Sequence, residues 1–337
     1  MALLWDVAFL VLGFGIILAG AELFTNAIEW LGKRLDLNQG AVGSVFAAVG
    51  TAMPETLVPI IALVFGGEVD REAIGIGAIL GAPFMLSTLA FLITGLAILI
   101  YARRGRRPRE VLAAPAVMKL DLEFFIVVYT LVVAAGIVRL GWLKYVLSAA
   151  LFLTYGVYVY RTFTHAHAGE MDHDLPPLVL VRNGGSSPPV YGFIIVQLAV
   201  ALTGIVGGAK LFVAGISGLS TALGVPAFVL AVIITPIATE LPEKFNSVIW
   251  VSQMKDTLAL GNITGAMVFQ SSVIPAIGML LTPWVLHGLE LATTFIALGS
   301  AVTAYVQLRR TGKLSPYSLL LGGLFYLAFI VAVVVMH

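Results

Sequence analysis

Two glutamates, Glu55 and Glu243, each directly follow a proline within a strongly apolar stretch of the chain. Inside a helix, proline leaves the carbonyl four residues earlier without its donor, and a neighbouring carboxylate can join such carbonyls in binding a hard cation. Within a bilayer, freed carbonyls persist only where they are satisfied or line a polar cavity. The pattern therefore predicts a buried cation site, with a kinked packing helix and a hydrogen-bonded glutamate as the alternative.

The segment that carries each glutamate occurs twice in the chain. Residues 20–55 and 208–243 align without a gap and agree at ten of thirty-six positions, among them the proline, the glutamate and a threonine, Thr51 or Thr239. Repeats that each contribute a broken helix are typical of secondary transporters, whose ion sites lie at the interface of the repeats. The duplication favours one site built by both copies over two separate packing elements.

The composition is that of an integral membrane protein. Of 337 residues, 60% are hydrophobic and only 11% are charged, whereas soluble domains contain about 25% charged residues. The chain has no cysteine, which excludes disulfides and thiolate metal sites. The apolar segments contain almost no histidine, so they offer no nucleophile–base pair, and the chain is not expected to be an enzyme.

Apolar runs of about 20 residues are long enough to cross a bilayer. Ten such runs are predicted, at residues 5–26, 39–66, 73–100, 122–139, 142–160, 190–216, 226–251, 257–281, 289–307 and 316–336. The polar connection 161–189 divides them into a first five-helix repeat, 1–160, and a second, 190–337. The predicted fold is an all-α integral membrane protein with ten transmembrane helices.

Lysine and arginine set the predicted orientation. Fourteen lie in the odd-numbered connections, and only Arg71, Arg139 and Lys144 lie in or beside the even-numbered ones. The positive-inside rule places both termini outside and the linker 161–189 in the cytoplasm of a multi-pass protein of the cell (inner) membrane. Because each half has an odd number of spans, the two repeats are inverted. The basic run 103–109 is interpreted as contacting anionic lipid headgroups.

The motifs around the glutamates resemble those of the sodium/calcium exchanger (cation/Ca2+ antiporter) superfamily, as in an atypical prokaryotic-type member. The chain reads GTAMPE at residues 50–55 and ATELPE at 238–243, followed by IGAILGAPF from Ile76 and LGNITGAMV from Leu260. The resemblance implies ten helices in two inverted halves. It also implies that the two glutamates bind the cation, with Thr51 and Thr239 beside them.

Several oxygen-bearing residues of the family pattern are missing. The departures are Ala52 and Glu240 at the first serine position, Ala82 and Ala266 at the later serine, and Leu86 and Gln270 at the Asn/Asp position. Sodium coupling therefore cannot be carried over from the resemblance alone. Proton coupling through Glu55, Glu243 or Glu240 is equally compatible, since removal from water favours the protonated form of a carboxyl group.

Three residues of the second half are further candidate ligands. Glu240 would add a third carboxylate and favour a divalent ion, unless it pairs with Lys244 one helical turn later. Asn262 and Gln270 are eight residues apart and so fall near one helical face, where they bind the cation or instead join helices. The predicted metal site comprises Glu55, Glu243, Thr51, Thr239, Glu240, Asn262 and Gln270.

The linker contains a cluster of histidine and aspartate residues. These are His165, His167, Asp172, His173 and Asp174. Such side chains can bind transition metals, but the spacing is not that of a closed site, and a flexible solvated loop is the alternative.

We expect a secondary active antiporter that exchanges a divalent, Ca2+-like cation for Na+ or H+ by alternating access at a midplane site. A channel or uniporter on the same scaffold, or a degenerate member that binds a cation without exchanging it, are the alternatives. The expected partners are inorganic cations and the lipid bilayer, with no nucleic acid and no cofactor. The sequence assigns no oligomeric state.

Overall fold

The computed structural model describes residues 2–35, 52–66, 70–138, 141–165, 176–180 and 189–336, and these residues form an all-helical protein. Within these ranges there are eleven α-helices: α1 (Ala2–Arg34), α2 (Met53–Phe65), α3 (Arg71–Met85), α4 (Phe91–Arg103), α5 (Pro115–Ile137), α6 (Leu143–His165), α7 (Tyr191–Leu223), α8 (Ala227–Ser252), α9 (Asp256–Leu281), α10 (Leu289–Thr311) and α11 (Pro316–Met336). A π-helical turn, Leu86–Ala90, joins α3 to α4.

Eight spans in the described ranges are long and apolar enough to cross a membrane. The continuous stretch Arg71–Arg103 is one of them, and the shorter segments Pro54–Phe65 and Ala227–Glu240 are apolar as well. The predicted break between the fourth and fifth spans is present, because α5 ends at Ile137 and α6 begins at Leu143. The prediction of an all-α, multi-span membrane protein is confirmed, whereas ten spans in two inverted repeats remain a prediction.

The chain divides into two compact units, each assembled from segments of both predicted halves. Met1–Arg71 and Val159–Pro226 form unit 1, which contains α1, α2 and α7. Glu72–Tyr158 and Ala227–His337 form unit 2, which contains α3 to α5, most of α6, and α8 to α11. The two compact units therefore do not coincide with the two predicted halves of the chain.

Helices α1 and α7, each of 33 residues, pack against each other in unit 1. At 1.5 Å per residue such helices are about 50 Å long, whereas the hydrocarbon core of a bilayer is about 30 Å thick. Tilting is the usual accommodation of a span longer than the bilayer. Glycine lets the two backbones approach closely, since a Cβ atom on Gly208 would lie 2.8 Å from the carbonyl oxygen of Gly13.

Part of the linker, residues 176–180, lies on unit 1 and is named the docked segment here. Trp30 of α1 donates its indole N–H to the carbonyl oxygen of Pro176 at 2.8 Å. Asn26, also on α1, accepts a hydrogen bond from the amide of Val179 at 3.2 Å. Gln197 of α7 accepts from the last amide at 2.9 Å and donates to Asn26 at 2.9 Å. Leu178 is buried against apolar side chains of α1 and α7. The docked segment therefore joins these two helices.

The π turn between α3 and α4 follows Pro83, which lacks the N–H that would continue the helical ladder. Hydroxyl groups supply donors to nearby carbonyls instead: Ser87 donates to Pro83 at 2.8 Å, and Thr88 donates to Phe84 at 2.5 Å. Ser300 of α10 donates to the Ser87 carbonyl at 2.5 Å. Hydroxyl side chains thus provide hydrogen bonds to the backbone carbonyls of an irregular helical turn inside unit 2.

Arg107, in the connection between α4 and α5, is buried and forms an ion pair with Asp256 at the start of α9. Its two terminal nitrogens donate to the two carboxylate oxygens at 2.8 and 2.5 Å, and also to the carbonyls of Val251 and Glu110. The Leu112 amide donates to the same carboxylate at 2.7 Å. The basic run is predicted to contact lipid headgroups, but Arg107 does not follow that prediction. Its charge pairs with Asp256 and fixes the connection between α4 and α5.

Candidate cation site

Glu55 lies in the first turn of α2 in unit 1, and its exposed fraction is only 7%. Pro54 occupies one of the first two positions of this helix. Thr56 donates its hydroxyl to the Ala52 carbonyl at 2.5 Å. A carboxylate in the first turn is stabilised by the positive end of the helix dipole, so this position suits a negative charge.

Pro54 has a defined place in the described part of the second predicted span. The proline lies at the start of α2, and its predicted place mid-way through a longer span stays a prediction because residues 36–51 are not described. Proline is favoured at the first helical positions because no intrahelical bond requires its N–H. Glu55 therefore lies beside the N-terminus of α2, whereas the carbonyl four residues before Pro54, that of Gly50, lies outside the described residues.

In unit 2 the corresponding helix, α8, continues through Pro236 and Pro242. Each proline leaves the carbonyl four residues earlier, that of Val232 or Ala238, without its helical donor. The sequence predicts this for Pro242. The Val232 carbonyl lies against Gly81 of α3, where a Cβ atom would come within 2.7 Å of its oxygen. In the described residues, Pro54 lies at the start of a helix, whereas Pro236 and Pro242 lie within one.

Glu240 is fully buried on α8, with an exposed fraction of 0%. Its Oε1 atom accepts a hydrogen bond from Nε2 of Gln270 on α9 at 3.2 Å. Thr239 is also buried, and its hydroxyl donates to the Thr235 carbonyl at 3.1 Å. The structure thus brings Glu240 and Gln270 together, two residues that the sequence singles out separately.

Two neutral side chains on these helices each have a buried oxygen atom that accepts no hydrogen bond within the part of the chain that the structure describes. These atoms are Oε1 of Gln270 and Oγ1 of Thr235. Thr235 was missed by the sequence analysis, although it lies one turn before Thr239, a spacing that places both on one helical face. Neutral oxygens beside a carboxylate are the ligands that a hard cation such as Ca2+ prefers.

Asn262 is only half-buried on α9 and makes no side-chain hydrogen bond to any described residue. It lies eight residues before Gln270, but no contact with Glu240 accompanies that spacing. The two amides of α9 therefore differ in environment, although their spacing predicts a common face.

Several predicted residues lie outside the described part of the chain. Thr51 is one of them, and for Glu243 and Lys244 the helical backbone is described but the side chains are not. In the linker cluster, His165 has a described backbone but no described side chain, and His167, Asp172, His173 and Asp174 lie wholly outside the described residues. Among described residues, no group of three His, Cys, Asp or Glu side chains could hold a metal ion.

Comparison with known proteins identifies relatives along nearly the whole chain. A family model described as sodium/calcium exchanger protein matches residues 5–164 and 193–337. CaxA, a proposed antiporter of Alkalimonas amylolytica, is 23% identical over 328 residues, which cover 96% of this chain and 95% of CaxA. An uncharacterized membrane protein of Methanocaldococcus jannaschii, MJ0091, is 22% identical over 295 residues, covering 87% of this chain and 88% of its own.

Solved structures share the fold. The crystal structure of the H+/Ca2+ exchanger CAX matches with a TM-score of 0.70 at 16% identity, covering 98% of this chain and 86% of that chain. A structure of the sodium-calcium exchanger NCX_Mj matches with a TM-score of 0.56 at 18% identity, covering 98% and 99%. These matches confirm the resemblance seen in the motifs, and the family model spans both halves. The chain belongs to the sodium/calcium exchanger protein family.

Proposed function

We propose that this protein is a secondary active antiporter that exchanges a divalent, Ca2+-like cation for Na+ or H+. The proposed site contains Glu55 and Glu243 as charged ligands, and Thr51, Thr239, Glu240, Asn262 and Gln270 as further ligands. The proposed architecture has ten transmembrane helices in two inverted repeats, 1–160 and 190–337. Both termini lie outside, and the linker 161–189 is cytoplasmic.

The burial of Glu240 is the observation that carries the proposal. Placing a carboxylate with an exposed fraction of 0% on an apolar membrane helix costs considerable free energy. Such residues usually mark an ion or proton site. Gln270 donates to Glu240 through Nε2, and the side-chain oxygen of Gln270, which has no described donor, is available to a cation. The nearly complete burial of Glu55 gives the first half a carboxylate of the same kind.

The composition of unit 1 supports an alternating-access mechanism. α1 and α7, the first and sixth predicted spans, pack into one compact unit through glycine contacts. Helices that belong to one unit can move together, and alternating access requires such joint movement if α1 and α7 act as the gating helices.

The test is cation flux in proteoliposomes that contain the purified full-length chain. Uptake of Ca2+ and other divalent cations is measured with an outward Na+ gradient, with a pH gradient and with neither. Glu55→Gln and Glu243→Gln are expected to reduce gradient-driven uptake to that of protein-free liposomes, because each removes a negative charge from the site. Glu72→Gln, at an exposed position in the first turn of α3, is the matched control and should transport normally.

Each other outcome has a distinct meaning. Wild-type uptake in both glutamine variants refutes the site assignment. Flux that needs no counter-ion gradient and follows membrane voltage identifies a channel or uniporter. Cation binding to the purified protein without any flux identifies a member that no longer exchanges the ion.

A further inference from the structure

Asp121 is a buried carboxylate in unit 2 that the proposed cation site does not use. It lies on α5, six residues after the helix begins, and its exposed fraction is 3%. Ionisable residues buried in apolar membrane helices are rare and usually functional. Asp121 could not be recognised from the sequence, because its neighbours along the chain form no motif.

The carboxyl group joins three helices through hydroxyl groups. Tyr158 of α6 donates to its Oδ1 atom at 3.0 Å, and its Oδ2 atom lies 2.5 Å from the Thr264 hydroxyl of α9. The Met118 sulfur, one turn earlier on α5, is also near this hydroxyl. All of these contacts lie within unit 2, and all are made by uncharged groups.

Within the described residues, no charged group balances Asp121. On its own helix, Lys119 and Glu123 pair with each other on the exposed side. Tyr305 of α10 donates to Glu123 at 2.6 Å. α9 offers only the neutral Thr264, and the titratable group that α6 presents to Asp121 is Tyr158. A negative charge on Asp121 would therefore be buried without a counter-ion, which is strongly unfavourable.

The available hydrogens fit a neutral carboxyl group. Thr264 has one hydroxyl hydrogen but two oxygen neighbours, Asp121 Oδ2 at 2.5 Å and the Leu260 carbonyl at 3.0 Å. If Asp121 is protonated, it donates to Thr264, which then donates to Leu260, and Tyr158 donates to the other carboxyl oxygen. If Asp121 is charged, the Thr264 hydrogen can satisfy only one of its two neighbours, and a carboxylate that can accept about four bonds receives at most two.

The carboxyl group lies between one end of the bundle and the level of the proposed cation site. Its partner Thr264 is eight residues, about 12 Å of helix, from Asp256 at the start of α9. It is six residues, about 9 Å, before Gln270. Asp121 is thus nearer than Gln270 to the end at which α5 and α9 begin.

We propose that Asp121 is a proton-binding site of the exchanger, distinct from the cation site. When the exchanger changes state, the Asp121 carboxylate takes up one proton from the water on one side of the membrane and the carboxyl group releases it to the water on the other side. The proposal rests on the proposed function and selects the proton as the counter-ion. Tyr158 and Thr264 are the positioning residues that hold the two oxygens of the carboxyl group.

Infrared spectroscopy of the purified chain tests proton binding without transport. A protonated carboxyl group has a carbonyl stretching band separate from that of a carboxylate. We expect a component of this band that disappears reversibly as pH rises and is missing in Asp121→Asn. Glu123→Gln, two residues away on the exposed side, should retain it. A titrating band unchanged in Asp121→Asn, or an Asp121 band that is constant at every pH, overturns the proposal.

Transport then tests the role of the bound proton. In proteoliposomes, Asp121→Asn should lose uptake driven by a pH gradient but keep isotopic Ca2+ exchange at equal pH, while Asp121→Glu should retain both. Thr264→Val and Tyr158→Phe should shift the pH dependence of uptake. Uptake driven equally well in Asp121→Asn refutes this proposal and leaves the antiporter function intact. If the wild type moves no cation, the antiporter function fails, and the infrared titration alone decides whether Asp121 binds a proton.

Discussion

Replacing Asp256 with alanine is expected to lower the free energy of unfolding by about 3–5 kcal/mol, the typical effect of breaking a buried ion pair. Both side chains of the Arg107–Asp256 pair have an exposed fraction of 0%. In the variant, the Arg107 guanidinium stays buried and retains only carbonyl partners, from Val251 and Glu110 among others. The loss of unfolding free energy is determined by the uncompensated positive charge of Arg107 and not by the number of hydrogen bonds lost.

An exposed ion pair provides the matched control. Lys313 and Glu110 lie 3.3 Å apart with exposed fractions of 68% and 66%. Because water screens such pairs, Glu110→Gln should change the free energy of unfolding by about 0–1 kcal/mol. The double variant Arg107→Met/Asp256→Leu should regain most of the stability lost in Asp256→Ala, since it removes both buried charges and the cost of dehydrating them.

The assay is unfolding in mixed detergent micelles with increasing SDS, followed by tryptophan fluorescence. Arg107 and Asp256 are expected to be strongly coupled, so the losses of stability in the single variants should not add in the double variant. If Asp256→Ala is no less stable than Glu110→Gln, the pair does not stabilise the loop. Additive losses in the double variant would equally refute the argument.

Two further predictions concern unit 1. Leu178→Asp should release the docked segment and speed proteolytic cleavage of the linker, because it places a charge at a buried position. Val179→Asp, at a position with an exposed fraction of 52%, should leave the cleavage rate unchanged. Equal cleavage of both variants would contradict the docking. Gly208→Val should destabilise the protein by about 1–3 kcal/mol through a clash with Gly13, whereas Gly207→Val, which has open space, should be neutral. Thermal stability in detergent compares the two glycine variants, and equal melting temperatures would exclude the close helix contact.

The all-helical membrane fold could be predicted from the sequence because it depends on local properties. A run of about 20 apolar residues can satisfy its backbone in a membrane only as a helix, whatever its neighbours are. The grouping of helices into units could not be predicted in this way. The association of α1 with α7 depends on which glycines face each other, as at Gly13 and Gly208, and this is decided by packing between distant segments.

The candidate site shows the same division between local and distant information. The Pro–Glu pairs could be recognised because each lies in one short stretch and occurs twice. The contact of Glu240 with Gln270 could not, since it joins two helices. Arg107 shows a related limit: the basic run does not reveal which of its members turns inward to meet a carboxylate far along the chain.

The docked segment has a consequence for how the linker can evolve. Trp30, Asn26 and Gln197 make their hydrogen bonds to main-chain atoms of the segment, and among its side chains Leu178 is the one buried in a cluster with α1 and α7. Every residue type except proline has both the carbonyl and the N–H that such contacts use. Most of the segment can therefore diverge in sequence while the attachment is inherited through α1 and α7, so that selection on this contact acts on the helices more than on the linker.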